Sequence, residues 1–413
     1  MILPLENSEY IRACYLNGKT YPYKGHFEYN LEKYVSGLCT HLYYRDPAVM
    51  NAVLKESDDR TQSSDVSADG YIEKVIKLKE KQPGLKIGLS LAFIKGMKSE
   101  KLEILSNFEK RKKFVNSAVR FVNEYGFDGI DVSWYYSTAS SDANFTFLMQ
   151  ELKAASENKI ITITVIPVFS NVDIKHNISL LSESVDFVKV ETYNFRRYPG
   201  ITVNHHSPLY SRPEDASNMN VAFVLDYWTK KGIPKNKLVM GIAAYGRGER
   251  SANFNNKNDE KKLTNVRNIK IYYDICNLEG NRSWENIMEV PYIVGSNFWY
   301  GYDNAESIKV KMEWIKKNGF GGAYISDLNF DDFMGICGEG KSPLTNAIKK
   351  YLEKSVFSCP SPKGTFPDPV RCTRFYRCLH SRPSQIYCPP RKEFDEKSMS
   401  CVPAYGCSLS SNV

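Results

Sequence analysis

Between residues 14 and 326 the chain alternates short β-favouring runs with amphipathic helical stretches, and this rhythm constrains the fold more than any single motif. The β-favouring runs lie at 14–16, 39–44, 86–93, 129–134, 160–168, 185–193, 238–245 and 321–326. Stretches at 70–81, 108–125, 144–158, 221–231 and 306–317 repeat apolar residues at threes and fours, the spacing of a helix with one buried face. Strands separated in this way by helices pair in parallel, because a parallel connection needs a crossover. The eight units predict an α/β fold closed into a (β/α)8 TIM barrel, with an open doubly wound sheet as the alternative. No phosphate-binding glycine fingerprint is expected after any of these runs, which argues against a nucleotide site.

Two segments break the rhythm. Residues 248–298 are too long for a simple connection and predict a small α+β insertion between the seventh and eighth barrel strands. After a closing helix at 343–354, six of the ten cysteines crowd into the tail at 359, 372, 378, 388, 401 and 407. The expected division is a barrel domain, 1–355, and a small disulfide-rich β module, 356–413. Such cysteine density belongs to an oxidising compartment. No CxxC pair exists and His380 has no partner at ligand spacing, so neither a metal nor a cofactor is expected. Sequons at Asn144, Asn177 and Asn281 agree with an extracellular glycoprotein, although the stretch MILPLENSEY has no basic flank and no apolar core, so no signal peptide is visible. No apolar run is long enough to span a membrane. The net charge of +8 falls largely on Lys and Arg at helical spacing, around 74–81 and 110–113, which reads as solvated outer faces and not as a nucleic-acid site.

Residues 121–137, FVNEYGFDGIDVSWYYS, pass from helix through Gly126 into the fourth run. A strand has a side-chain period of two, so Asp131, Ser133 and Tyr135 share one face and Ile130, Val132 and Trp134 the other. A carboxylate on the inner face of a buried strand needs hydrogen bonds, so Asp131 lines a polar pocket or belongs to a satisfied structural network.

The chain resembles the family 18 glycoside hydrolases, the chitinase and chitinase-like barrels, over about residues 10–352. The resemblance is carried by ACYL, CTHLYY, YGFDGIDVSW, VDFVKVETYNF, HSPLY, KLVMGIAAYGR, YYDIC, VPYIVG, GYDN and GGAYISDLNFDDFMGICGEGKSPL, in that order. The tail, with Phe375-Tyr376-Arg377-Cys378 at its centre, resembles a peritrophin-A type chitin-binding domain. The combination is similar to arthropod chitinases and chitinase-like proteins, mite allergens among them. The resemblance implies disulfides Cys14–Cys39, Cys276–Cys337, Cys359–Cys378, Cys372–Cys407 and Cys388–Cys401, where the six tail cysteines alone would allow 15 connectivities.

The resemblance also implies a specific loss. Active members carry D-x-x-D-x-D-x-E on the fourth strand and use the sugar's own acetamide as nucleophile, an exception to the two-carboxylate scheme. Asp128 and Asp131 match the first two positions, but Ser133 stands for the last Asp and Tyr135 for the Glu. The expectation is therefore no catalytic residue and an inactive homologue of chitinase. The alternative is a weak chitinase or hexosaminidase with a relocated acid, Glu191 or Asp131. Ser326 and Lys19 stand where the family has platform tryptophans, which leaves Tyr15, Phe93, Tyr135, Glu191, Tyr193, Tyr245 and Trp299 as candidate ligand contacts in the barrel. In the tail, Phe375, Tyr376 and Tyr387 are the candidate chitin contacts, because so small a module cannot bury all its aromatics. The expected ligand is chitin or chito-oligosaccharide, bound chiefly by the tail, with the barrel as weak lectin or scaffold. No residue points to a particular protein partner.

Overall fold

The computed structural model describes residues 10–17, 29–45, 48–50, 53–55, 70–93, 99–134, 139–167, 178–195, 205–213, 215, 219–250, 268–353, 359–368, 372–389 and 392–403. The chain divides into two compact units, Met1–Glu353 and Lys354–Val413. In the first, eight parallel strands close into a barrel: β1 (Ile11–Asn17), β2 (His41–Arg45), β3 (Lys86–Phe93), β4 (Gly129–Trp134), β5 (Ile160–Val165), β6 (Phe187–Val190), β7 (Leu238–Ala243) and β8 (Gly322–Ser326). Each strand pairs with its sequence neighbours, and β8 closes on β1 with Ile11 opposite Gly322. All eight expected runs are strands. The fifth stops at Val165, short of Pro167, and the sixth at Val190, before the left-handed turn at Asn194 (φ 61°).

The outward faces are apolar and fully buried under the helices, as at Leu42, Ile87, Leu89, Ile130, Val132, Ile161, Ile163, Val188 and Val190. The covering helices include Tyr71–Ile76, Phe108–Glu124, Ala139–Ala155, Val221–Lys230, Ala305–Asn318 and Pro343–Leu352. Asn107, Asn220 and Asn304 cap three of them by accepting a backbone N–H in the first turn, which fixes where each helix starts. The inward faces are polar and aromatic. Inward Gly88 and Gly241 leave room for rings, since a Cβ there would lie 2.5 Å from the Tyr43 ring and 2.7 Å from the Tyr324 hydroxyl.

The segment between β7 and β8 builds an antiparallel five-stranded sheet, ordered Asn268–Ile271, Tyr245–Arg250, Phe298–Gly301, Val290–Val294, Asn281–Glu285, with one short helix, Tyr272–Cys276. Disulfides join Cys14 to Cys39 and Cys276 to Cys337. In the second unit, Lys363–Pro367, Arg374–Leu379 and Arg382–Tyr387 form a three-stranded antiparallel sheet, followed by the hairpin Lys392–Asp395 and Ser400–Pro403. Cys359–Cys378 and Cys388–Cys401 staple it; Cys372 is also disulfide-bonded, while Cys407 lies outside the described residues. Among the described residues no helix is long and apolar enough to cross a membrane.

Candidate functional site: a plugged barrel and an aromatic sheet face

Asp131 lies at the centre of the barrel, fully buried, with its acceptor sites occupied. Oδ2 accepts the Tyr15 hydroxyl at 2.5 Å and Ser90 Oγ at 2.9 Å; Oδ1 accepts Thr162 Oγ1 at 2.9 Å. Because Tyr15 gives its one proton to Asp131, the contact between its oxygen and Thr164 Oγ1 has Thr164 as donor. The fourth side of the carboxylate faces the Lys189 ammonium, 3.0 Å from Oδ1, and neither partner has any solvent contact. Lys189 points inward from β6 and sits 3.1 Å from the Tyr43 ring centroid, a cation held by a π-face as well as by charge. Burial pushes the ammonium down to about 7 against the opposing pull of Asp131. Burial, and then the Asp131 charge, push the Tyr15 and Tyr43 phenols well above their usual range. This is the satisfied structural network, not the open pocket. Asp128, by contrast, stays at the barrel's outer end, accepting Ile87 N–H at 2.7 Å and pairing with Lys79 at 2.7 Å.

Ser133 is one inward position nearer the mouth, 1% exposed, and its Oγ makes no hydrogen bond. Tyr135 lies outside the described residues, as do the side chains of Phe93 and Trp134. Glu191 is buried, and its Oε1 accepts Asn194 Nδ2 at 2.8 Å; Asn194 Oδ1 in turn accepts Arg247 Nε from the inserted sheet. A carboxylate held in such a chain positions a turn and is not presented to solvent as an acid. Tyr193 is buried among Tyr245 and Tyr324, and Tyr245 stacks on His206 at 5.7 Å. Two of the expected barrel contacts need correction. Tyr15 has no exposure and is committed to Asp131, and Trp299 belongs to the inserted sheet, 1% exposed, stacked on Tyr292 with His205 edge-on. Both are large rings whose burial there is worth more than their exposure at a cleft.

Two residues that shape this centre had no place in the sequence reading. Lys189 is one. The other is Arg45, at the end of β2, whose guanidinium lies 4.2 Å over the Tyr15 ring and 3.6 Å from Asp327 Oδ1 at the end of β8. Ser326 Oγ donates to the same Asp327 oxygen at 3.0 Å. Burial raises the Asp327 carboxyl, with Arg45 and Ser326 opposing. A cation and a short hydroxyl thus stand at the end of the eighth strand, where the resemblance would have put an aromatic platform. A period-two reading of HLYYR and VKVE would have placed both cations inside, had inward charge been accepted at face value.

A glycine fingerprint is in fact present after the eighth strand, contrary to expectation: residues 335–342, GICGEGKS, spell G-x-x-x-x-G-K-S ahead of the helix Pro343–Leu352. Backbone donors at both ends of this stretch are already taken. Asp332 accepts the N–H groups of Gly335, Ile336 and Cys337, and Asp331 those of Leu344 and Thr345. Two internal carboxylates thus do what an anion would do at that helix start, so the match is structural. Among the described residues no group of three His, Cys, Asp or Glu could hold a metal.

In the tail, strand alternation separates the expected contacts. Phe375, half-buried, stacks on Phe394 of the hairpin at 4.5 Å, so its ring is engaged on the face turned to the hairpin. On the other face of the sheet, register aligns Phe366, Tyr376 and Gln385 in one row and Arg374 with Tyr387 in the next. Tyr387 is 44% exposed, and its hydroxyl is held by Gln385 Nε2. Arg374 pairs with buried Asp368 at 2.5 Å, fixing the polar end of this face. Half-exposed rings flanked by fixed polar groups suit a pyranose, which offers C–H bonds to a π-face and hydroxyls at its rim. Of the sequons, Asn144 is half-buried on the helix Ala139–Ala155, Asn281 is exposed, and Asn177 lies outside the described residues.

Comparison with known proteins agrees with this geometry. Residues 12–331 match "Glycosyl hydrolases family 18" and residues 359–407 match "Chitin binding Peritrophin-A domain". A probable endochitinase of Caenorhabditis elegans is 32% identical over 381 residues, 84% of this chain; the chain spans 60% of that relative's length. An immunomodulatory active chitinase of Trichuris suis superposes with a TM-score of 0.73 at 29% identity, covering 83% of this chain and 100% of that one. Human YKL-39, a pseudo-chitinase with retained chitooligosaccharide binding properties, does so at 0.72 and 28%, covering 83% and 99%. The chain therefore belongs to family 18 of the glycosyl hydrolases, a chitinase-like barrel followed by a chitin binding Peritrophin-A domain.

Proposed function

We propose that the protein is an extracellular chitinase-like protein that does not hydrolyse chitin and that binds it chiefly through the aromatic face of its C-terminal domain. The observation that carries this reading is the buried Asp131–Lys189 pair. The one inward carboxylate left on β4 is neutralised by a lysine and saturated by three hydroxyls, so it can neither orient an acetamide nor stabilise a positive intermediate. At the two working positions, Ser133 supplies no charge, and the Tyr135 phenol, with an ordinary pKa of about 10, is a poor acid for a glycosidic oxygen. Glu191, the other candidate acid, is engaged through Asn194 with Arg247. The described disulfides support an oxidising, extracellular setting.

Within this reading the barrel is a weak lectin or a scaffold, and the ligand of the tail is chitin or a chito-oligosaccharide. Two stacked rings at about 0.5–1.5 kcal/mol each correspond to roughly tenfold in affinity. Retention on chitin beads should therefore fall about tenfold in a full-length Tyr376→Ala/Tyr387→Ala variant. Retention equal to that of the unchanged chain would remove the tail face from the proposal and return the binding to the barrel.

A further inference from the structure

The outer surface of the barrel carries an unexplained aromatic pair. Phe108, first residue of the helix Phe108–Glu124, is 57% exposed, and Phe147, on the neighbouring helix Ala139–Ala155, is 50% exposed. They are not scattered singly. The Arg111 guanidinium lies 5.8 Å from one ring centroid and 5.9 Å from the other, held in place by Glu151 at 2.9 Å. The two rings thus flank a fixed cation and form one apolar patch with a polar floor. Single exposed phenylalanines need no explanation, but a contiguous pair on a helical surface does.

The sequon Asn144-Phe145-Thr146 stands one helical turn before Phe147. Residues three apart share a helix face, with Cβ atoms about 5–6 Å apart, and helical side chains lean toward the N-terminus. Phe147 therefore leans over the turn that carries Asn144. Phe145, between them in sequence, points the other way and is buried. We propose that Asn144 carries an N-linked glycan whose first N-acetylglucosamine packs on Phe147 and closes the aromatic patch over Arg111. The pyranose C–H face and acetamide methyl cover the ring, and the sugar hydroxyls face water, the same stacking chemistry that an aromatic lectin surface uses. Asn281 is exposed, but no exposed aromatic stands beside it in its strand, Asn281–Glu285, so the same argument does not extend to it.

This inference rests on the extracellular reading above, and the test separates the two. The full chain is expressed through the secretory pathway of a eukaryotic host, and protein recovered from the medium is mapped by mass spectrometry before and after enzymatic deglycosylation. Absence of protein from the medium would count against the extracellular reading. Secreted, disulfide-bonded protein with Asn144 unmodified would overturn the glycan proposal itself. For the packing, four proteins are compared by thermal unfolding: the chain trimmed to one N-acetylglucosamine, Asn144→Gln, Phe147→Ser, and the double variant. The sugar is expected to raise the midpoint by about 2 °C when Phe147 is present, a shift of the size one modest contact gives in a large domain, and to leave it unchanged in Phe147→Ser. An equal effect of the sugar in both backgrounds would show that the ring is not its platform.

Discussion

Replacing Lys189 with Met gives the sharpest test of the plugged centre. The change keeps an unbranched side chain one atom shorter and a polarisable group near the Tyr43 ring, while removing the ammonium 3.0 Å from Asp131. At an effective dielectric of 20 that contact is worth about 5.5 kcal/mol. Release of the ammonium from its own burial offsets part of the loss, and Asp131 keeps the hydroxyls of Tyr15, Ser90 and Thr162. At pH 6, below the value of about 7 to which burial brings Lys189 and where the ammonium is charged, the expected destabilisation is therefore about 3 kcal/mol, the low end for breaking a buried pair. Because burial holds the Lys189 amine at about 7 in the fold against the ordinary 10.5, the unchanged protein gains stability as pH rises from 7, a gain that the Met variant lacks. The variant should consequently lose less stability at pH 5 than at pH 8. Adding Asp131→Asn should recover about 2 kcal/mol, because the double variant buries no unpaired charge. Urea unfolding followed by tryptophan fluorescence reads this directly, since all five tryptophans lie in the first unit. A loss below about 1 kcal/mol, or a double variant as unstable as the sum of the singles, would refute the pair as the organiser of the barrel centre.

Further outcomes follow from the same network. Burial first, then Lys189 and Lys86, lower the His41 imidazole to about 4. The unfolded chain therefore takes up this proton near pH 6.5 while the fold resists it until about 4, and stability should fall through that window by about 2 kcal/mol after discounting for the ring's partial exposure. In His41→Gln the loss between pH 6.5 and 4 should shrink by that amount, and parallel curves would rule the imidazole out. Restoring the family residues with Ser133→Asp and Tyr135→Glu should not yield appreciable chitin hydrolysis, because Lys189 still neutralises Asp131 and Arg45 still lies over Tyr15. Robust turnover by that double variant would show that the damage is confined to β4.

The barrel was legible because its signal is periodic. Eight β-favouring runs separated by amphipathic helices leave few closed alternatives, and the strand ends differ from the expected ones by a few residues, among other places where Pro167 and the turn at Asn194 stop the ladder. The inward face of β4 was legible for the same reason. What occupies that face was not. A lysine in VKVE reads as a surface residue until the partner that makes its burial tolerable is known, and Asp131 lies 58 positions earlier in sequence (189 − 131). Arg45 escaped notice likewise, since its contacts with Tyr15 and Asp327 come from the two strands that close the barrel. In the tail, the period of two already forbids Phe375 and Tyr376 from sharing a face, but which face the hairpin covers depends on Phe394, and adjacency in sequence carries no such information.

The most direct test of the central claim is turnover of a fluorogenic chito-oligosaccharide by the purified full-length protein, measured beside Glu191→Gln. A carboxylate relay engaged with Asn194 and Arg247, and an Asp131 saturated by Lys189, predict no release of fluorophore above the uncatalysed rate from either protein. Release by the unchanged chain that Glu191→Gln abolishes would contradict the account and make the barrel an enzyme with a relocated acid.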